Sequence, residues 1–348
     1  MDAFKRSTPW ISADLSEPLA EAAPRSARPS AERPLAVRPL AERPLAERPQ
    51  AARPQAARPV AEKPAAARLA AAPTAVPAAA GKARGSSPID VSEVTIEGYA
   101  QDIVLRLYRP QGASNLPVLL YFHGGGFVRG TLDDADAASQ FFAERLPALV
   151  VSVAYSLAPQ FPFPAAPEDA HRAALWVLTR ARAFGGSAKR ILAAGHDAGG
   201  QIANVLAFIG RDRGDVRLAA QALFAPMLDP SLTRLGDEAR LASDISASEC
   251  AACYRAYLPE ASQRMHPYAA PLESSRLAGL PPTFIVTAQN DVLHIEAEKY
   301  AGRLIEAGVR THVVRYPSVS HAQIGAHPEA LAEAVRFFRC CFEAGAPC

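Results

Sequence analysis

Four places in this 348-residue chain combine residue types that can do chemistry with a spacing that would let them meet. His123-Gly124-Gly125-Gly126-Phe127 sets three consecutive glycines directly after an apolar run. Backbone without Cβ atoms turns sharply and can present N–H groups to a ligand. Donors aimed at a developing oxyanion usually contribute more to acyl-transfer catalysis than any other single effect, although such a loop by itself can be no more than a tight turn. Gly195-His196-Asp197-Ala198-Gly199-Gly200 lies between a short apolar run and a helical pattern. Its glycines permit strained dihedrals and close strand–helix packing, and the helix N-terminus behind position 197 favours negative charge there. Asp291 and His321 complete the set. A lone Asp is usually a solvated cap and a lone His usually structural. Each of these two, however, follows an apolar run that reads as a parallel strand, where open α/β sheets carry their sites.

The elements that must position these residues are legible from periodicity. Val91 to Glu97 and Ile103 to Tyr108 alternate as antiparallel strands do. Short apolar runs follow at Val118 to Phe122, Leu149 to Val153, Ile191 to Ala194, Ala219 to Phe224, Thr283 to Thr287 and Val313 to Tyr316. Helical patterns separate them, at Asp136 to Leu146 and Glu168 to Ala183. Further helices are marked by Ile202, Val205, Leu206 and Ile209, by Ala297, Ala301, Leu304 and Ile305, and by Leu331, Ala334, Val335, Phe338 and Phe342. Antiparallel entry strands followed by alternating strand and helix imply an α/β fold with a mostly parallel central sheet covered on both faces. The stretch from about 229 to 270 breaks the rhythm and reads as a small inserted helical cap.

Residues 1–85 are of another kind. From Arg28-Pro29 to Lys63-Pro64 a basic residue and a proline recur every fifth position. Each proline removes an N–H and disfavours the α conformation of its predecessor. With no aromatics in that repeat to bury, the segment is expected to be a disordered, partly polyproline-like tail, with 86–348 as the folded domain.

That domain resembles the hormone-sensitive-lipase group of α/β-hydrolases. The resemblance rests on the His123–Phe127 loop, the 195–200 turn and the run Tyr155-Ser156-Leu157-Ala158-Pro159-Gln160-Phe161-Pro162-Phe163-Pro164-Ala165. Position 197, then Asp291, then His321 follow the nucleophile–acid–histidine chain order of that fold. The resemblance implies an esterase-type hydrolase for small apolar esters. Gly125, Gly126 and Ala198 would supply oxyanion N–H groups, His321 the base and Asp291 its orienting acid. Phe127 would lie beside the substrate, and His123 would hold the loop. Two departures stand out: Asp197 occupies the place of the family's serine, and Ala322-Gln323 follow the histidine where Gly-Phe is usual.

An aspartate at the elbow changes the chemistry on offer. A carboxylate is already ionised near neutral pH and needs no base. It can attack an sp³ carbon of haloalkane or epoxide type, giving an alkyl-enzyme ester that His321 helps water to hydrolyse. Attack on an ester carbonyl would instead give a mixed anhydride. A third option pairs Asp197 with His321 as an imidazolium, with an Asp197 oxygen in the oxyanion hole. Loss of a triad nucleophile costs up to about a million-fold in turnover, so a pocket kept only for binding or regulation is the alternative to an enzyme.

Composition narrows the rest. Hydrophobic residues are 49 % of the chain, enough for a sizeable core, and a net charge of +2 points to no nucleic-acid partner. No apolar run reaches the length of a membrane span and no secretory signal opens the chain, so a cytoplasmic location is expected. Five cysteines argue against a disulfide framework. Cys250 and Cys253 make a lone C-x-x-C that reads as one buried helix face. No metal or organic cofactor is implied, and the expected partner is a small-molecule substrate or ligand.

Overall fold

The computed structural model describes residues 89–342. The tail assigned to 1–85 and the domain start at 86 lie outside the described residues. Eight strands form: β1 (Ile89–Glu97), β2 (Asp102–Pro110), β3 (Leu116–Phe122), β4 (Leu149–Val153), β5 (Gly186–His196), β6 (Leu218–Phe224), β7 (Thr283–Asn290) and β8 (Thr311–Ser320). They make one sheet in the order β1-β2-β4-β3-β5-β6-β7-β8. β1 and β2 pair antiparallel, as do β2 and β4, and the pairs from β3 and β4 onward to β8 are parallel.

The burial of each strand follows its place. β3 and β4 are buried at every residue, which suits the continuous apolar runs of strands covered on both faces. β1 lies at the sheet edge and is largely exposed. Along β3, Val118, Leu120 and Phe122 enter one core while Leu119 and Tyr121 enter the other. The period-two alternation of a strand thus divides the interior into two layers.

Helices α1 (Asp136–Arg145), α2 (Ala165–Arg180) and α3 (Ala198–Arg213) are followed by α4 (Glu238–Leu241) and α5 (Ala247–Tyr257). The remainder are α6 (His294–Glu306), α7 (His321–Ile324) and α8 (Pro328–Phe342). α3 is buried from Ala198 through Gly210, as expected of a helix laid against the sheet centre under other elements. α8 buries Leu331, Ala334, Val335 and Phe338 at helical spacing and packs with Phe142 of α1 on the opposite core. The cap expected over about 229–270 contains α4, α5 and a 3₁₀ turn at Ala261–Met265.

The strand expectations differ mainly at their ends. Apolar runs mark where side chains are buried, while the ladders run on into polar residues, so β7 continues to Asn290 and β8 to Ser320. α2 begins at Ala165, three residues before Glu168, because Pro167 falls in the first turn, where its missing N–H has no helical partner to lose. Its expected end at Ala183 falls instead in a 3₁₀ turn over Ala181–Phe184. Cys250, Cys253 and Cys341 are free thiols, whereas Cys340 is disulfide-bonded, a pairing that the cysteine count did not suggest.

Candidate active site

The turn at Gly195–Gly200 joins β5 to α3. Asp197 follows β5 and precedes α3 with φ 56° and ψ −122°, a conformation that a non-glycine residue holds only when its surroundings over-determine it. Its N–H donates to Phe224 O at 2.9 Å, and its carbonyl accepts from Gly200 N at 3.0 Å. The turn can close because Gly199 lies against the backbone of β3: a Cβ there would stand 2.2 Å from Phe122 O.

The glycine loop after β3 comes over this turn. Gly125 N and Gly126 N donate to Oδ2 of Asp197 at 2.8 and 2.7 Å. The Asp197 carboxylate therefore fills the place to which those donors point. Ala198, the third expected donor, is the first residue of α3 and is fully buried beside it. His123 holds the loop: its ring stacks on Tyr155 with centroids 4.3 Å apart, and the Tyr155 hydroxyl donates to His123 O at 2.9 Å.

Asp291 follows β7 directly and is completely buried, its Oδ1 accepting from Leu293 N at 2.9 Å. Its Oδ2 lies 2.9 Å from Nδ1 of His321, the first residue of α7 after β8. On the other side of the ring, Nε2 of His321 lies 3.6 Å from Oδ1 of Asp197. The three residues named from chain order thus meet in a row, with the imidazole between two carboxylates.

That arrangement sets the charges. Burial pulls the His321 pKa down, but Asp291, then Asp197 and Asp244, more than offset it and raise it to about 9. Burial would push Asp197 up. His321 foremost, then His196 and the two glycine N–H groups, hold it below the ordinary carboxylate value. An imidazolium beside an ionised Asp197 follows near neutral pH. His196, whose Nε2 bonds to His321 O at 2.9 Å, is held down to about 4 by burial and by His321, and stays neutral.

These groups line a cavity of about 450 Å³. Its walls mix apolar residues, among them Met227, Ile245 and Cys253, with Arg129, Asp244 and Glu249, so the pocket is more polar than the apolar one expected. The cap does cover it, through Asp244, Ile245 and the Cys250/Cys253 face of α5, whose thiols burial pushes up from their usual range. Phe127 lies elsewhere: it is fully buried and stacks on Tyr257 at 3.9 Å, bracing the loop against the cap rather than lining the cavity. Among the described residues no group of three or more metal-ligating side chains occurs. None of their helices is long and apolar enough to cross a membrane.

Asp244 was not marked by the sequence, yet its carboxylate accepts from His321 N and Ala322 N, both at 3.0 Å. Ser246 and Glu249 form a capping box that announces the start of α5, but nothing in the local pattern links Asp244 to a residue 77 positions away.

The profile of a family described as alpha/beta hydrolase fold matches residues 119–324. Esterase LipI of Mycobacterium tuberculosis is 39 % identical over 241 residues, 68 % of this chain and 75 % of its own. Ethyl acetate hydrolase of Pseudomonas putida is 33 % identical over 252 residues, 70 % of this chain and 77 % of its own. Among solved structures, EstE1, a thermostable carboxylesterase cloned from a metagenomic library, superposes with a TM-score of 0.70 at 32 % identity, covering 74 % of this chain and 92 % of its own.

Proposed function

The chain belongs to the alpha/beta hydrolase fold family, and from that premise we propose that Asp197 is its covalent nucleophile, with His321 as base and Asp291 as orienting acid. It is a carboxylic ester hydrolase-like member of that family. Small ester-type molecules are the ligand class that the relatives' names bring to its pocket. The observation that carries the proposal is the division of labour between the two Asp197 oxygens: Oδ2 is held by Gly125 N and Gly126 N, and Oδ1 stands beside His321 in the cavity wall.

With Oδ2 in place, a substrate carbonyl oxygen has no access to the same donors. The electrophile that suits this arrangement is an sp³ carbon: the alkyl carbon of an activated ester, a haloalkane carbon or an epoxide carbon. An Oδ1 lone pair forms the new C–O bond as the carbon's bond to the halide, carboxylate or epoxide oxygen breaks with its electron pair; a halide or carboxylate departs, whereas the epoxide oxygen stays on the alkyl chain and takes a proton from solvent. The alkyl-enzyme ester then has its carbonyl oxygen, Oδ2, already in the oxyanion hole. Alkylation also removes the Asp197 charge, one of the causes that keep His321 protonated, so the ring can lose its proton and become a base. Water adds to Cγ and gives its proton to His321. The tetrahedral oxyanion collapses, and the alcohol leaves with the proton that His321 returns.

The test uses a trap. His321→Ala, incubated with styrene oxide or 1-bromobutane, should accumulate an alkyl adduct on the peptide holding Asp197, read by mass spectrometry. No adduct in that variant, together with no turnover of either compound by the unmodified protein, rejects the nucleophile. A second reading is favoured by the His321–Asp197 ion pair itself. In it the imidazolium and the filled hole leave an esterase-like pocket that binds ligands without turning them over.

A further inference from the structure

We propose that Asp244 is a positioning residue for His321, acting as the end of a strap, 236–244, that ties the cap to both loops carrying the buried acid and the histidine; the proposal rests on the reading of His321 as the base. The strap holds the neighbours of each of those residues. On the histidine loop, Asp244 Oδ1 accepts from His321 N at 3.0 Å, and Oδ2 accepts from Ala322 N at 3.0 Å and from Ser320 Oγ at 2.6 Å. On the acid loop, Asn290 Nδ2 donates to Leu241 O at 2.7 Å and Val292 N to Ser243 Oγ at 3.3 Å. Gly236 N donates to Val292 O at 2.8 Å. Asp291 and His321 therefore each lie between two residues tied to the same short segment.

Asp291 and His321 leave the ends of β7 and β8, where the register shifts between Ala288 and Asn290 and the last rung pairs Asn290 with Ser320. That rung aligns the starts of the two loops and the strap holds the residues on either side of Asp291 and His321, and a displacement of about 1 Å at the 2.9 Å contact between Asp291 Oδ2 and His321 Nδ1 can cost on the order of a hundredfold in rate. Asp244 also adds charge. The ionisable groups facing His321 are Asp291 from the end of β7, Asp197 from the elbow, Asp244 from the strap and His196 from the end of β5. Ile245, next in the chain, lines the cavity. A molecule seated against Ile245 therefore touches the residue adjoining the one that holds the histidine.

The experiment follows the His321 side-chain nitrogens by NMR, assigned with His321→Gln, in the unmodified protein and in Asp244→Asn, Asp244→Ala and Ser243→Ala. Asp244→Asn should lower the His321 pKa by roughly 0.5–1 unit, a modest shift because Asp244 is solvent-exposed. Asp244→Ala should lower it as much and speed exchange of the Nδ1 proton about tenfold or more, as the loop loosens. Ser243→Ala loosens the acid loop without removing a charge and should leave the pKa in place. A His321 titration and Nδ1 exchange in Asp244→Ala equal to those of the unmodified protein would overturn the proposal. Should that variant fail to fold, an unchanged titration in Asp244→Asn overturns it alone. Whether His321 is a base is judged separately, by the activity of His321→Ala, so the two ideas fail independently.

Discussion

The amide nitrogen of Gly126 lies 2.7 Å from Oδ2 of Asp197, so the protein's own side chain occupies a donor of the proposed oxyanion hole. The contact is charge-assisted and buried, and is therefore among the stronger hydrogen bonds in the molecule. Two variants separate the consequences. Asp197→Ser removes the oxygen from the hole and restores a hydroxyl within reach of His321. It is expected to raise hydrolysis of p-nitrophenyl butyrate at least about a thousandfold over the unmodified protein. Asp197→Asn keeps an amide oxygen on the same donors while removing the charge, and should not gain this activity. Equal p-nitrophenol release by both variants would mean that filling of the hole is not what limits ester cleavage.

The ion pair between Asp197 and His321 has a pH signature whose sign can be worked out. The folded His321 pKa lies near 9 against an ordinary 6.5, so its contribution to stability is fully present below about 6.5 and is lost as pH rises through 9. The folded Asp197 pKa is depressed, so its contribution is present above the ordinary value of 3.8 and is lost as pH falls through the folded value. Both therefore stabilise the fold most between about pH 4 and 6.5. His321→Gln removes the titrating ring. The melting temperature of the unmodified protein minus that of the variant should be largest near pH 6 and shrink toward pH 9.5. A difference constant across that range would show that His321 is not held as an imidazolium.

The sequence marked Asp197, Asp291 and His321 because each follows a strand that can be recognised from its apolar run, and the fold brings all three into one row. Periodicity served because β3 to β7 are buried on both faces or nearly so, and burial is what hydrophobic runs encode. Phe127 shows the limit. An aromatic after the glycine loop reads equally well as pocket wall or as brace, and only packing on Tyr257 decides between them. Asp244 shows another: an exposed acid in an irregular segment carries no periodic signal, and its role comes from a contact with Ser320, His321 and Ala322 far along the chain. The Arg129 and Glu249 charges at the cavity were unreadable for the same reason, since loop and cap conformation place them.

Gly126 brings the glycine loop against the cap through space rather than through a bond. Its φ is +61°, and a Cβ at this position would stand 2.4 Å from Cys253 Sγ of α5. Gly126→Ala therefore faces two costs: about 1 kcal/mol for an L-residue in the left-handed region, and roughly 1–3 kcal/mol for overpacking against the thiol. Urea unfolding should show a total loss of about 2–4 kcal/mol. Cys253→Ala opens the space that the new methyl needs, so the double variant Gly126→Ala/Cys253→Ala should be less destabilised than the two single changes summed. A coupling on the order of 1 kcal/mol or more is expected from such a cycle between touching residues. Additive losses would mean that the loop moves away from α5 instead of pressing on it. In that case the Gly126 N–H should also leave Asp197 Oδ2, and the Asp197 pKa measured by carboxylate NMR should rise in Gly126→Ala.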